Sequence, residues 1–426
     1  MAKQIVAKRP AYAWVSGGSS SRPRKGKPLI KKPASNLKQQ QSYKRGAARL
    51  TMRRSVIKKP AALPYVPEHQ QLEKGKKFQV RDSAAAGEVK LETLLGMTEK
   101  QLITSMEKGG QLHKHTVCCH CHKGKLTPLM RQPGRQQWVR RCRLKGCQKT
   151  TYPHSGHPIF TTGSGHVYMP LKTQACILFC AAWNVNQSLI PALIEDLSHK
   201  KVDQVYKAWR VLLKDYIKET QKDISYGSTE AGVLDEIEVD EAAFRKLDGP
   251  DGEVEWNEIV GSKRRGDRKS LYLEKRSEDH SRSLRAEDGR AAPPPLTKNE
   301  WRKFRDARVG EGSLTHSDGA PAYNETGAGS YHDKVCHDSR RGGKRVQEYT
   351  RKVEHDLPDG TSYKAMAGTQ SIDGWWGHGK RACHGVKAQD KHILESHVRA
   401  EQWRHWVGAG DRWAEAGKVI SWVPSK

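Results

Sequence analysis

The chain has 426 residues and a formal net charge of +29, from 76 Lys and Arg against 47 Asp and Glu. Hydrophobic residues make up only 35%, and no run of about 18 apolar residues exists that would cross a bilayer as a helix. Such an excess of one sign adds self-repulsion and nothing to a fold, so it points to a polyanionic partner, nucleic acid being the commonest and a ribosomal or membrane-surface role the plainer alternatives.

Residues 1–88 open with MAKQIVAKRP, which lacks the apolar stretch of a secretory signal. The first acidic residue is Glu68, and Arg22, Arg24, Lys25, Lys44, Arg53 and Lys58 precede it among Ser, Gly, Pro and Gln. This composition predicts a disordered basic arm, suited to nuclear import or to holding DNA without sequence preference. Nine cysteines on the reducing side of a cell read as metal ligands or free thiols rather than disulfides.

Over 89–160 a short helical stretch, Leu91 to Met106, precedes Cys118-x2-Cys121 and Cys142-x4-Cys147. Two paired-thiol turns supply the four soft ligands of a tetrahedral zinc site, and the alternating residues before Cys142 complete a zinc-ribbon pattern with one structural Zn²⁺. The first turn reads Cys118-Cys119-His120-Cys121-His122, so Cys119 or a histidine stands as an alternative to Cys118. Cys176, Cys180, Cys336 and Cys383 have no such partners and read as buried thiols.

Helix spacing governs 161–225. Leu189, Leu193, Ile194 and Leu197 form one run and Val202, Val205, Tyr206, Trp209, Leu212, Leu213 and Tyr216 a second, with Asn186 and Ser198 at the N-cap positions. Lys200, Lys201, Lys207, Arg210 and Lys214 are left for the outer face. Two helices with a basic second member suit a helix-turn-helix on DNA, and equally an ordinary bundle with a lysine-rich exterior.

From Val233 the runs shorten to strands, with a helix expected near Asn299 to Ala307, which predicts a mixed α/β domain over 230–395. Strand alternation in Glu236-Ile237-Glu238-Val239-Asp240 gathers three carboxylates on one face. They repel unless a cation or solvent screens them, so the alternatives are a metal site and a solvated edge strand. Asp318 ends a second strand before Gly319, and Asp373 begins a helix that carries Lys380 and Arg381. Three carboxylates from separate elements suit two Mg²⁺ or Mn²⁺ ions about 3.5–4 Å apart. Over 396–426, Trp403, Trp406, Trp413 and Trp422 read first as helix packing onto the core and second as base-stacking residues.

The order of these parts, from about residue 90 to 400, resembles the ISXO-two-like DDE transposases, the bacterial insertion-sequence group that includes the eukaryotic Merlin elements. CHC…RRCRLKGCQKTTYPHSGHPIF resembles the family's ribbon, EIEVDEAAFRK its first catalytic strand, HSDGAPAY its second acidic segment, VCHDSRR its histidine segment and GTQSIDGWWGHGKR its third acidic helix. The resemblance implies a ribonuclease-H-like core that nicks transposon ends and joins the freed 3′-OH to target DNA. Asp240, Asp318 and Asp373 would hold the ions, Trp375 and Lys380 would lie near the bound strand, and His337 would support the site or contact a phosphate. It also implies double-stranded DNA as partner, a homo-oligomer on that DNA, no membrane, and a nuclear location in a eukaryotic host (cytoplasm and nucleoid in a bacterial one). Two departures stand out. Asp373 occupies a position where most relatives carry Glu, and the polar stretch between Asp318 and Asp373 lacks a clear core strand. Both suit a domesticated copy that binds DNA without cutting; a nuclease without strand transfer is the remaining alternative.

Overall fold

Thr98 caps the second of two short helices with a reciprocal capping box to Gln101, and that pair, α1 (Leu91–Gly96) and α2 (Glu99–Gly109), leads into a small sheet. The computed structural model describes residues 89–132, 137–162, 169–194, 197–336, 339–341, 344–346 and 348–422, all within one unit spanning Val66–Lys426. The basic arm expected over 1–88 lies outside the described residues.

Three antiparallel strands, β1 (Met130–Arg131), β2 (Trp138–Arg141) and β3 (Thr150–Thr151), carry the cysteine turns. Arg140 on β2 docks the ribbon onto α2 through a 2.8 Å ion pair with Glu107, both side chains mostly buried. The helical segment is α3 (Leu171–Ala182), α4 (Ile190–Leu193) and α5 (His199–Thr220). Its two halves differ from the expected pair of helices. Pro191 sits at the start of α4, which lasts four residues, and Leu189 and Leu193 are 54% and 58% exposed. Asn186 does cap this stretch, accepting the Ser188 amide at 3.1 Å, whereas Ser198 makes no side-chain cap. The second run is continuous: α5 buries Val202, Val205, Tyr206, Trp209, Leu213 and Ile217 at the predicted spacing.

The α/β part begins with β4 (Asp235–Asp248), β5 (Glu253–Arg264), β6 (Tyr272–Lys275) and β7 (Arg282–Leu284). Then come α6 (Lys298–Arg308), β8 (Ser313–Ser317) and β9 (Tyr331–Lys334). These strands make one mixed sheet in the order β6-β5-β4-β8-β9, with β7 also on β5. β4, β5 and β6 are antiparallel neighbours, while β8 runs parallel to β4 and β9 parallel to β8. β4 is thus central, not an edge strand. Ile237 and Val239 pack with Trp301 and Phe304 of α6 on one face; Ala242 and Phe244 pack on the other. A sheet covered on both faces buries polar positions too, which is why Glu236 and Glu238 are buried.

The stretch between Asp318 and Asp373, read from sequence as lacking a core strand, supplies β9 to the main sheet and two hairpins. They are β10 (Ser339–Arg341) with β11 (Lys344–Val346), and β12 (Arg351–Asp356) with β13 (Ser362–Ala367). Tyr363 and Ala365 of β13 pack toward a small cluster of Leu234, Leu314 and Leu357. Helix α7 (Gln370–Ala382) then covers the sheet, followed by α8 (Lys391–Val407) and α9 (Arg412–Ser421).

The tryptophan-rich segment is not a separate tail. Trp403 of α8 meets Trp209 of α5 edge-to-face at 5.3 Å, Trp413 of α9 lies 5.8 Å from Phe179 of α3, and the buried Gln111 amide donates to the Trp413 carbonyl at 2.7 Å. These are packing roles, so α8 and α9 complete the core that α1 to α5 begin.

Arg276, 5% exposed, clamps the sheet to α6 through Glu258 at 2.8 Å and Glu300 at 2.9 Å, and donates to the Pro294 carbonyl at 2.7 Å. Removing one partner of a buried pair strands the remaining charges, at about 3–5 kcal/mol. Arg276→Met is expected to lose that much stability by denaturant titration at pH 8. Burial already pushes Glu258 up to about 7, so near pH 5 its carboxyl takes up a proton and the loss should shrink. An equal loss at both pH values would remove Glu258 from the explanation.

Candidate metal centre and acidic cluster

Four thiolates about 2.3 Å from one zinc ion stand about 3.8 Å apart along the edges of the tetrahedron. Cys118 Sγ lies 3.8 Å from Cys147 Sγ, and Cys121 Sγ 3.7 Å from Cys142 Sγ. All four sulfurs lie within 4.8 Å of one another, and among the described residues this is the one group of three or more His, Cys, Asp or Glu side chains that does so. Backbone amides support them: His120 N–H donates to Cys118 Sγ at 3.4 Å and Gly124 N–H to Cys121 Sγ at 3.3 Å. The amide of Lys123, followed by that of Gly124, pulls the Cys121 thiol down to about 6. A Cβ at Gly124 would stand 2.2 Å from Cys142 Sγ, so this glycine is required for close approach to the sulfurs. The cluster therefore fits a metal such as zinc. The ambiguity of the first turn is resolved, since Cys119 faces the Thr151 hydroxyl at 3.5 Å and His120 the Thr150 carbonyl at 3.0 Å. His122 and Gln148, which close the two turns, take positive φ of 55° and 46°. Cys176, Cys180 and Cys383 are buried as expected, while Cys336 is half-buried.

A second cluster forms where β4, β8 and α7 meet. The last parallel pair of β4 and β8 is Glu238 with His316; two residues further along come Asp240, within β4, and Asp318, just past the end of β8. Asp373 lies in the first turn of α7. Burial, then the charges of Glu241, Asp373 and Asp318, hold the Asp240 carboxyl well above the usual carboxylate range. Asp318 accepts the Ala320 amide at 3.0 Å, and Asp373, exposed to solvent, accepts the Thr369 hydroxyl at 3.1 Å.

Trp376 is the tryptophan that reaches this cluster, its Nε1 donating to Asp240 at 2.8 Å. It follows Asp373 by three residues and so shares its helix face. Gly261, paired with Asp240 across β5, makes room for that ring, since a Cβ there would lie 2.7 Å from it. Trp375 is buried against Phe244 instead, which corrects its expected place beside a bound strand. Lys380 is exposed, and His337 lies outside the described residues. Glu241, which follows Asp240 and accepts the Tyr323 hydroxyl, is a fourth carboxylate that the spacing argument did not single out.

Glu236 and Glu238 do not share the role of Asp240. Arg265 binds both, at 2.7 Å and 2.9 Å, and also donates to the Met366 and Gly368 carbonyls at 2.6 Å and 2.7 Å. Glu238 further accepts the Ser371 and Ile372 amides at 2.7 Å and 2.9 Å. These are free N–H groups at the start of α7, where a carboxylate is favoured by both hydrogen bonding and the helix dipole. Glu238 thus fixes the position of the helix that carries Asp373.

Of the basic residues on α5, Lys200 and Lys207 are exposed, Lys201 and Lys214 half-buried, and Lys214 lies 3.9 Å from Asp215. Arg210 is half-buried and lines a cavity. Compared with protein-family models and with curated proteins, the chain matches none. No helix among the described residues is long and apolar enough to cross a membrane.

Proposed function

We propose that the chain is a DNA transposase whose mixed sheet is a ribonuclease-H-like core, nicking DNA ends and joining the freed 3′-OH to target DNA. The observation that carries this reading is Asp240 on the central strand, its carboxyl raised by burial and by the charges of Glu241, of Asp373 on α7 and of Asp318 just past the neighbouring parallel strand. Burial and the charges of Glu241, Asp373 and Asp318 keep Asp240 from ionising readily, a repulsion that divalent cations would relieve. Asp240, Asp318 and Asp373 would hold two Mg²⁺ or Mn²⁺ ions, which when bound supply activation of the attacking oxygen and stabilisation of the leaving one. Trp376 orients the Asp240 carboxylate, and Glu238, itself held by Arg265, anchors the start of α7, the helix that carries Asp373. The cysteine centre, carrying a structural zinc ion, stiffens the ribbon beside α2, and Lys200 and Lys207 offer exposed charge to the DNA backbone.

A second reading, a DNA-binding protein that no longer cuts, is favoured by the third position. Asp373 is exposed and one methylene shorter than the Glu of the family it resembles. Labelled duplexes carrying candidate end sequences, incubated with Mg²⁺ or Mn²⁺, separate the two. The transposase reading expects metal-dependent nicks and strand-transfer products; tight binding with no cleavage under either ion would leave the second reading.

The Glu238 anchor gives a graded test. Glu238→Gln keeps the shape but weakens the hold on the helix amides and on Arg265, so the metal concentration for half-maximal nicking should rise about tenfold, the scale seen for residues that orient metal ligands. An unchanged metal requirement with merely lower thermal stability would make Glu238 a structural residue only.

A further inference from the structure

A cavity of about 660 Å³ lies between the helical segment and the end of α7, away from both metal centres. Four cations from four places line it: Arg210 of α5, Arg381 at the end of α7, Lys387 in the following loop and Arg404 of α8. Two exposed carboxylates, Asp203 and Asp390, line it as well, and Glu401 pairs with Arg404. Among the described residues the one carboxylate acting on Arg210 is Asp203, against burial and repulsion from Arg404. His397 stands between these arginines: burial, then Arg210 and Arg404, push it down to about 4. It is therefore neutral at physiological pH and adds no charge of its own. Arg404 is held in place by Glu401 at 2.6 Å, and Arg381 lies 2.9 Å from the His378 ring.

Arg210 and Arg404 are half-buried and repel one another, with Glu401 paired to Arg404, so a further anion beside Arg210 is favoured. The planar guanidinium offers paired donors that match phosphate oxygens. A pocket of this size is ample for a phosphate and its attached sugar. We propose that this cavity is a phosphate-ester site, separate from the acidic cluster, which grips a nucleic-acid backbone between α5 and α8. The site deepens the DNA-binding part of the function proposed above but needs no divalent ion and no cleavage.

The test uses the full chain, zinc-loaded, in magnesium-free buffer, with fluorescence anisotropy on a short labelled duplex across a salt series. Arg210→Gln is expected to weaken binding about tenfold and to lower the slope of log Kd against log salt by about 0.9, the contribution of one phosphate. Arg381→Gln and Lys387→Gln, at exposed positions, should each weaken binding several-fold without affecting the fold. A second arm measures the melting temperature with pyrophosphate and with a mononucleotide. Stabilisation of the wild type but not of Arg210→Gln, with duplex affinity unchanged in all variants, would keep the phosphate site and assign it to a free nucleotide. Unchanged duplex binding, salt slope and melting temperature in all three variants would overturn the proposal. The duplex assay uses no divalent ion and needs no cleavage, so a failed nicking assay and a failed phosphate site are distinguishable.

Discussion

Asp240→Asn is expected to abolish Mg²⁺- or Mn²⁺-dependent nicking and, in metal-free buffer, to raise the melting temperature. Both effects follow from the same carboxylate. Charge stabilisation by a bound ion is worth several kcal/mol to the transition state, and each 1.36 kcal/mol is tenfold in rate, so losing a ligand should cost roughly 10³-fold or more. The stability effect has the opposite sign. The folded protein holds the Asp240 proton more tightly than the unfolded chain does, because burial and the charges of Glu241, Asp373 and Asp318 disfavour ionisation. Its favourable contribution is complete below the ordinary carboxylate range and is lost as pH rises through the raised folded value. The gap in melting temperature between Asp240→Asn and wild type should therefore widen with pH. It should close again when Mg²⁺ or Mn²⁺ is added, since an ion at a hundred times its dissociation constant stabilises the wild type by about 2.7 kcal/mol. Nicking within tenfold of wild type, or a gap indifferent to the ion, would take Asp240 out of the metal set.

Removing zinc should produce the largest local structural effect. β1, β2 and β3 contain two, four and two residues, too little sheet to stand alone. Structural zinc contributes apparent free energies of about 10–16 kcal/mol in small zinc-bound folds. Elemental analysis should find one zinc per chain. Cys142→Ser, or chelation, should erase amide protection from about residue 116 to 151 while β4, β5 and α5 keep theirs. Protection that survives complete zinc loss would show that the Arg140–Glu107 pair and α2 hold the ribbon unaided.

What the sequence disclosed depended on how far apart the cooperating residues lie. The cysteine turns were legible because spacing within each turn fixes ligand geometry; the α5 core face was legible because 22 residues keep one period. Asp240 was visible as one of three carboxylates on a strand face, Asp318 as a strand-end acid and Asp373 as a helix-start acid, and the charges of the last two act on Asp240. The choice of Trp376 over Trp375 was within reach of helix phase alone, as it shares the face of Asp373. Other features had no local signal. Arg265 neutralises Glu236 and Glu238 from another strand, and whether β4 was central or an edge depended on β8 pairing beside it. The hairpin of β12 and β13 escaped because most of its residues are exposed or half-buried, leaving no apolar alternation to read. Leu189 and Leu193 misled in the other direction: their spacing is helical, but Pro191 and the short turn leave them in solvent.

The return of α8 and α9 to the core begun by α1 to α5 has a kinetic consequence. Gln111 and Trp413, joined by a buried hydrogen bond, are 302 residues apart in sequence, so the helical module is closed by some of the longest-range contacts in the chain. Such contacts form slowly, because the entropy of the intervening loop is lost before they are made. During synthesis, Trp209 and Phe179 leave the ribosome long before the tryptophans that cover them, with the whole α/β sheet still to be made between. The α/β domain must therefore fold as an insert inside an unfinished helical one, and the exposed apolar face of α3 and α5 is the surface a chaperone would have to shield in the interval.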